Sequence, residues 1–170
     1  IYKSAMGWTE KIQEINFKDY NLIVYDNFPL SKENNSFISL LDDEQSKVKY
    51  LFFEGPSCNL NTFNKIYERL NVEIIENDKN HKFILDYYQL KNLPTVKRNF
   101  KINKDTFLKI YLQYSDSSIA IGENSKFLNI HIPELSILCR KDLSNKFEGY
   151  LSEIIYKYMD SGNSINLHIP

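Results

Sequence analysis

Two apolar runs in the first third of the chain each stop at an acidic residue that precedes a turn. Residues 21–26 end at Asp26, before an Asn-Phe-Pro sequence, and residues 48–54 end at Glu54, before a Gly-Pro-Ser sequence. Short apolar runs bounded by turn-forming residues are typical of buried β-strands. The pattern therefore predicts two buried strands that present Asp26 and Glu54 at their C-terminal ends.

Between and after these runs the apolar residues change to helical spacing. Residues 8–16 and 30–45 carry apolar side chains at the spacing of a short helix, and the pattern is regular over residues 60–70, where Asn59 is the predicted cap. A third short strand is predicted over residues 72–75. Strands that alternate with helices build parallel sheets, whose functional residues lie at the C-terminal ends of the strands.

The second half of the chain departs from this alternation. Residues 118–121 and 127–132 flank a short segment that contains Gly122, and this arrangement predicts an antiparallel hairpin. Other short apolar runs predict a strand or short helix at residues 83–88 and further strands at 107–114 and 165–169. Because hairpins need no crossover helix, we expect a mixed sheet.

The strongest helical pattern comes last. One apolar stripe runs from Leu143 to Met159, and Gly162 occupies the position of a C-terminal stop. Together these patterns predict a single α/β domain over residues 1–170. We expect a three-layer sandwich with a mostly parallel sheet and an antiparallel hairpin at residues 118–132.

Composition excludes several classes of function. Apolar residues make up 42% of the chain and its net charge is −1 with both signs interspersed, so a globular domain is predicted and nucleic acid is not an expected partner. The two cysteines, Cys58 and Cys139, are too few for a disulfide framework or a Cys-based zinc site. His81 and His168 lie in polar or terminal positions and are interpreted as bystanders. No metal or cofactor is predicted.

The ends of the sequence indicate a part of a longer protein. It begins at Ile1 without an initiator Met, and it ends at Pro170 directly after an apolar strand pattern. No apolar run approaches the roughly 18 residues that span a bilayer. A membrane anchor is therefore expected only in flanking segments. Lys greatly outnumbers Arg, and Asn and Ile are abundant, which is typical of an AT-rich bacterial genome.

Three segments resemble the class I glutamine amidotransferase-like fold, a flavodoxin-like α/β sandwich. They are residues 20–29, the turn and elbow at 51–59, and the Ile-His-Ile-Pro-Glu-Leu sequence at 130–135. In that superfamily the second strand ends at the nucleophilic Cys, and a later strand carries His and Glu. The resemblance implies Cys58 as nucleophile and His131 as base.

The motifs of this superfamily are incomplete in the present chain. The elbow around Cys58 has one residue too many after Gly55 and lacks the second Gly. His131 and Glu134 are three positions apart, whereas only an even offset places two strand side chains on one face. Residues 21–29 and 49–56 also resemble the degenerate amidotransferase-like domains of bacterial von Willebrand factor A-type membrane proteins from aerotolerance operons. Those domains typically lack the catalytic Cys.

Cys58 and His131 are the candidate catalytic residues. Cys58 lies between a predicted strand and a predicted helix N-terminus, a location that lowers a thiol pKa. His131 is the one His on a predicted strand that suits the role of base. The alternatives are a turn Cys without a role and a half-buried His bonded to a neighbour.

Asp26 and Glu54 are the candidate binding residues. If their strands are neighbours, the two carboxylates could converge to bind Mg²⁺ or act as acid and base, as in a receiver-like domain. The alternative is that each carboxylate bonds the amides of its own turn.

Two main functional hypotheses follow. The first is a non-catalytic amidotransferase-like domain of a larger, membrane-associated bacterial protein, which binds a protein partner, other domains of its parent chain or a ligand. The second is a Cys-dependent amidase or hydrolase in which Cys58 attacks, His131 acts as base and backbone amides near Phe28 and Asn59 stabilise the oxyanion.

Overall fold

The fold is described by a computed structural model. It describes residues 3–4, 7–8, 20–27, 48–55, 58–59, 72–74, 80–84, 90, 93–98, 100–102, 107–124, 127–140 and 146–161.

Ten strands and two helices lie within these residues. The strands are β1 (Lys3–Ser4), β2 (Gly7–Trp8), β3 (Leu22–Asp26), β4 (Lys49–Phe53), β5 (Val72–Ile74), β6 (Phe83–Ile84), β7 (Phe100–Ile102), β8 (Lys109–Tyr114), β9 (Ile119–Glu123) and β10 (Phe127–Ile130). The helices are α1 (Leu135–Leu138) and α2 (Phe147–Asp160).

The main sheet has six strands in the order β3-β4-β10-β9-β8-β6. The pairs β3–β4 and β4–β10 are parallel, whereas β10–β9, β9–β8 and β8–β6 are antiparallel. The α/β class and the predicted hairpin are therefore present in the fold. The expectation of a mostly parallel sheet is wrong for the described strands. Short turns join β8 to β9 and β9 to β10, and a short connection permits only antiparallel pairing.

The remaining strands form two small antiparallel pairs, β1–β2 and β5–β7. The predicted strand at residues 72–75 is confirmed as β5, but it pairs with β7 instead of joining the parallel strands. Trp8 belongs to β2, so the helix predicted over residues 8–16 does not include it. The rest of that prediction, the helices at 30–45 and 60–70, and the strand at 165–169 lie outside the described residues.

Helix α2 confirms the apolar stripe predicted for the end of the chain. Its buried side chains recur every three or four residues, so one face of the helix packs on the sheet. These residues, Phe147, Leu151, Ile154 and Tyr158, share a core cluster with Leu51, Leu128, Ile130 and Ile121 of the sheet. Leu143 and Gly162 lie outside the described residues.

The opposite face of the parallel strands carries aromatic rings. Tyr25, Tyr50, Phe52 and Phe127 form this aromatic layer, in which the Tyr25 and Phe52 rings stack with centroids 4.7 Å apart. Tyr50 stacks on Phe127 at 5.3 Å. Tyr25, Tyr50 and Phe52 are all buried. Both faces of the sheet are therefore covered around β4.

Candidate functional site

The parallel strands β4 and β10 end side by side and bring three polar side chains together. The backbone N–H of Glu54 donates to the Ile130 carbonyl at 2.9 Å, which extends the strand pairing by one residue. Asn129 is the register partner of Phe52. Because side chains alternate along a strand, Glu54, Asn129 and His131 share the face of the aromatic layer. We call these three residues the polar cluster.

All three members of the polar cluster are almost completely removed from solvent. The exposed fractions are 0% for Asn129, 3% for His131 and 5% for Glu54. The Nδ1 atom of His131 lies 3.8 Å from Oε2 of Glu54. This separation permits electrostatic interaction but is too long for a hydrogen bond.

Burial disfavours the charged forms of the acid and the imidazole in this cluster. It raises the pKa of Glu54 well above its usual 4.5, and the charge of Arg98 offsets only part of that rise. It also lowers the pKa of His131 from 6.5 to about 3. Both shifts follow from the cost of placing a charge in a low-dielectric interior. The imidazole is therefore neutral at neutral pH, and burial favours the protonated form of the neighbouring carboxyl group.

Cys58 is buried close to the polar cluster. Its backbone N–H donates to the Gly55 carbonyl at 3.2 Å. Burial, followed by the nearby Glu54, raises the pKa of the Cys58 thiol from 9.0 to about 12. This shift is opposite in sign to the one expected from a helix N-terminus. At neutral pH the thiol is protonated and is a poor nucleophile.

Asp26 and Glu54 lie on neighbouring strands but are directed to different faces. Asp26 is the register partner of Phe53, so it shares a face with Phe53 and not with Glu54. Asp26 is also exposed, whereas Glu54 is buried. Across the part of the chain that the structure describes, no group of three or more His, Cys, Asp or Glu residues is arranged to hold a metal ion.

The turn after β3 packs tightly against the turn after β4. Asn27 has φ of 52°, in the left-handed region that Asn tolerates, and its backbone N–H donates to the Phe53 carbonyl at 2.9 Å. A Cβ atom on Gly55 would lie 2.0 Å from Oδ1 of Asn27. Gly is therefore needed at position 55 for close packing with Asn27.

Sequence reasoning missed the most extensively bonded charge in this region, Arg98. Its guanidinium is 1% exposed and donates to Oδ2 of Asp116 at 2.6 Å and to the Ser118 hydroxyl. It also lies 3.2 Å from Nδ1 of His81 and 4.0 Å from the centre of the Tyr114 ring. Since Arg is always a donor, Nδ1 of His81 must accept. His81 therefore contributes a structural contact, and its interpretation as a functional bystander stays a prediction.

Tyr114, which lies against the Arg98 guanidinium, also contacts the polar cluster. The Tyr114 hydroxyl donates to the backbone carbonyl of His131 at 2.5 Å. This contact fixes the end of β10 relative to β8. The sequence offers only a weak signal for the role of Arg98, because nothing in the local pattern distinguishes a buried Arg from the many other charged residues.

Comparisons with known proteins give little similarity. No protein-family model and no curated protein matches the sequence. Among solved structures the chain is similar to alpha-L-fucosidase isoenzyme 2 from Paenibacillus thiaminolyticus, with 10% identity and a TM-score of 0.42. The match covers 88% of this chain and 26% of that one, so the chain spans about a quarter of the length of that enzyme. Over the described residues, no helix combines the length and apolar character needed to cross a bilayer.

Proposed function

We propose that this chain is a non-catalytic binding domain of a larger, membrane-associated bacterial protein, with the architecture of class I amidotransferase-like domains. The observation that carries the proposal is the state of the groups that a Cys hydrolase would use. Cys58, His131 and Glu54 are all buried, and burial disfavours the charged form of each. The membrane association derives from the sequence resemblance alone.

The chemistry of Cys-dependent hydrolysis explains why these charge states favour a non-catalytic role. A Cys nucleophile reacts as the thiolate, which an adjacent base or a positive charge stabilises. Here burial opposes the thiolate of Cys58, and the protonated form of His131 that would accompany it is also disfavoured. Formation of a thiolate–imidazolium ion pair is therefore disfavoured by both the raised pKa of Cys58 and the lowered pKa of His131.

The three-layer amidotransferase-like arrangement is part of the same proposal. A sheet in the middle of three layers needs both faces covered. Helix α2 packs on one face of the sheet, and the aromatic layer on the other face is buried. The parallel strands β3, β4 and β10 lie at one side of the sheet and carry the candidate residues at their C-terminal ends.

The alternative is a Cys-dependent amidase or hydrolase that uses Cys58 and His131. One observation favours it: the Cys58 thiol is near enough to Glu54 for the carboxyl group to affect the thiol pKa, and Glu54 lies 3.8 Å from His131. Thiol, carboxyl and imidazole thus occupy one neighbourhood after the end of β4. In this alternative, substrate binding would have to reverse the shifts described above.

Thiol reactivity against pH separates the two proposals. In a Cys139→Ser variant, Cys58 is the one thiol left in the chain. We expect it to react with an aromatic disulfide reagent only near or above pH 10, because the pKa of Cys58 is raised to about 12. The Cys58→Ser variant measures the reactivity of Cys139 and serves as the control.

The hydrolase alternative makes the opposite prediction. It requires an apparent thiol pKa well below the usual value of about 8.5. It also requires that His131→Ala removes this shift. That pair of results would replace the binding-domain proposal with the enzymatic one.

A further inference from the structure

Two buried side chains of the polar cluster carry polar atoms without hydrogen-bond partners. Within the described part of the chain, neither the two carboxyl oxygens of Glu54 nor Oδ1 and Nδ2 of Asn129 have a partner. Asn129 is fully buried and Glu54 is nearly so. Buried polar groups in native proteins are overwhelmingly paired, so these four atoms call for hydrogen-bond partners that the described residues do not supply.

We propose that Glu54 and Asn129 bind a small, uncharged, hydroxyl-rich molecule, such as a sugar or polyol, at the C-terminal ends of β4 and β10. This inference rests on the proposed function of a binding domain and names its ligand class. The location agrees with the general rule that α/β sheets bind ligands at the C-terminal ends of parallel strands. Here β10 is also the strand at which the pairing changes from parallel to antiparallel.

Burial of the unpartnered atoms favours an uncharged ligand, because a charge is costly to place in this interior. The protonated form of Glu54, which burial favours, and the Asn129 amide each offer a donor and an acceptor, which is the pairing pattern of a hydroxyl group. The positive charge of Arg98 acts on Glu54 and would oppose a cation. The Glu54 carboxyl group opposes an anion, because its ionised form would repel one.

Apolar rings flank the two polar groups and favour a ligand with alternating hydroxyl and C–H surfaces. Phe52 is the register partner of Asn129 on β4, and Gly122 is its partner on β9. Phe107 lies against Gly122, where an added Cβ would come within 2.6 Å of the Phe107 ring. The absence of a side chain at position 122 thus allows an aromatic ring to approach the strand beside Asn129.

Titration of the isotope-labelled chain with defined probes tests this proposal. The probes are D-glucose, myo-inositol and xylitol, with acetamide and methylammonium chloride as competing chemistries, each at up to about 100 mM because small probes bind weakly. We expect saturable shifts of the Asn129 side-chain amide resonances and of the backbone amides of Glu54 and His131 with at least one polyol. Glu54→Leu and Asn129→Leu are expected to weaken that binding at least tenfold.

The Asn129→Leu variant should remain folded, because an apolar side chain of similar shape replaces an unsatisfied buried amide. Asn21→Leu makes the same substitution at an exposed position just before β3 and should leave polyol binding unchanged. A thermal melt of both variants separates loss of binding from loss of fold.

Three outcomes would overturn the inference. They are saturation by acetamide or methylammonium in place of a polyol, shifts that persist in Asn129→Leu, and the absence of saturable binding by any probe. If no probe binds while Cys58 stays unreactive, the ligand class fails and the binding-domain proposal stands. If Cys58 reacts as a low-pKa thiol, the binding-domain proposal itself fails.

Discussion

At the scale of single residues, the contribution of the buried Arg98 charge to stability depends on its hydrogen-bond partners. A buried guanidinium is tolerated only when its donors are paired, and Asp116 and Ser118 supply two partners. The stacking on Tyr114 adds a cation–π contact. These bonds join the segment before β7 to the turn between β8 and β9.

Removal of this charge should destabilise the protein strongly. Arg98→Ala leaves Asp116, Ser118 and His81 without their shared donor, and breaking a buried ion pair costs about 3–5 kcal/mol. Because the Asp116 side chain is 39% exposed, water compensates part of that cost, and we expect about 2–3 kcal/mol in urea unfolding.

Lys97→Ala is the matched control for Arg98→Ala. The Lys97 side chain is exposed, and only its backbone N–H bonds Glu134, so its truncation should change stability by no more than about 0.5 kcal/mol. Equal losses in the two variants would show that the Arg98 bonds contribute nothing to stability.

At the scale of elements, α2 is attached to the sheet by a hydroxyl as well as by its apolar face. The Tyr158 hydroxyl accepts from the backbone N–H of Tyr50 at 3.2 Å and donates to its carbonyl at 3.1 Å. The Lys49 ammonium also donates to the last carbonyls of the helix, at Tyr158 and Met159. A cation at this end is favourable to the helix dipole.

Removal of the Tyr158 hydroxyl group tests the contribution of this contact to stability. Tyr158→Phe keeps the buried ring but removes both hydrogen bonds to Tyr50, so we expect a loss of about 1–3 kcal/mol in unfolding free energy. Tyr156→Phe makes the same change two positions away, on a side chain that is 67% exposed, and should be nearly neutral. A neutral Tyr158→Phe would mean that water replaces the hydroxyl at no cost.

At the scale of the whole molecule, the polar cluster makes stability depend on pH. The folded state keeps the Glu54 proton above pH 4.5, where the unfolded chain has lost it, so the Glu54 contribution falls as pH rises. His131 has the opposite effect on stability. Below pH 6.5 the unfolded chain binds a proton at this residue, whereas the folded state does not bind one until about pH 3. Between these two usual values the effects of Glu54 and His131 on stability oppose each other.

Glu54→Gln removes the titrating carboxyl group and so measures the contribution of Glu54 to the pH dependence of stability. The variant should gain stability relative to the parent as pH rises from about 5, by as much as about 1.4 kcal/mol per pH unit while Glu54 stays protonated. Urea unfolding at matched pH values measures the difference. Glu153→Gln makes the same substitution on the exposed side of α2 and is the matched control. A stability difference between Glu54→Gln and the parent that does not change with pH would mean that Glu54 is ionised in the folded protein.

The local elements were predictable because their signals are local. The apolar runs that became β3 and β4, the hairpin of β9 and β10, and the stripe of α2 all appear as periodicities within a few turns of chain. The sheet order was not predictable in the same way. Strand β5 has the apolar pattern of a sheet strand, yet its partner is β7 and not β4.

The candidate site shows the same division. The sequence by itself predicted Glu54 at the end of a strand, His131 on a strand and Cys58 after a turn. Only the tertiary structure decided that Glu54 and His131 face each other, that Asp26 points to the other side, and that Asn129 and Arg98 belong to the region. The physical reason is that side-chain direction follows strand register, while charge state follows burial by residues distant in the chain. Neither the strand register nor the burial of a residue can be predicted from the local pattern of polar and apolar residues.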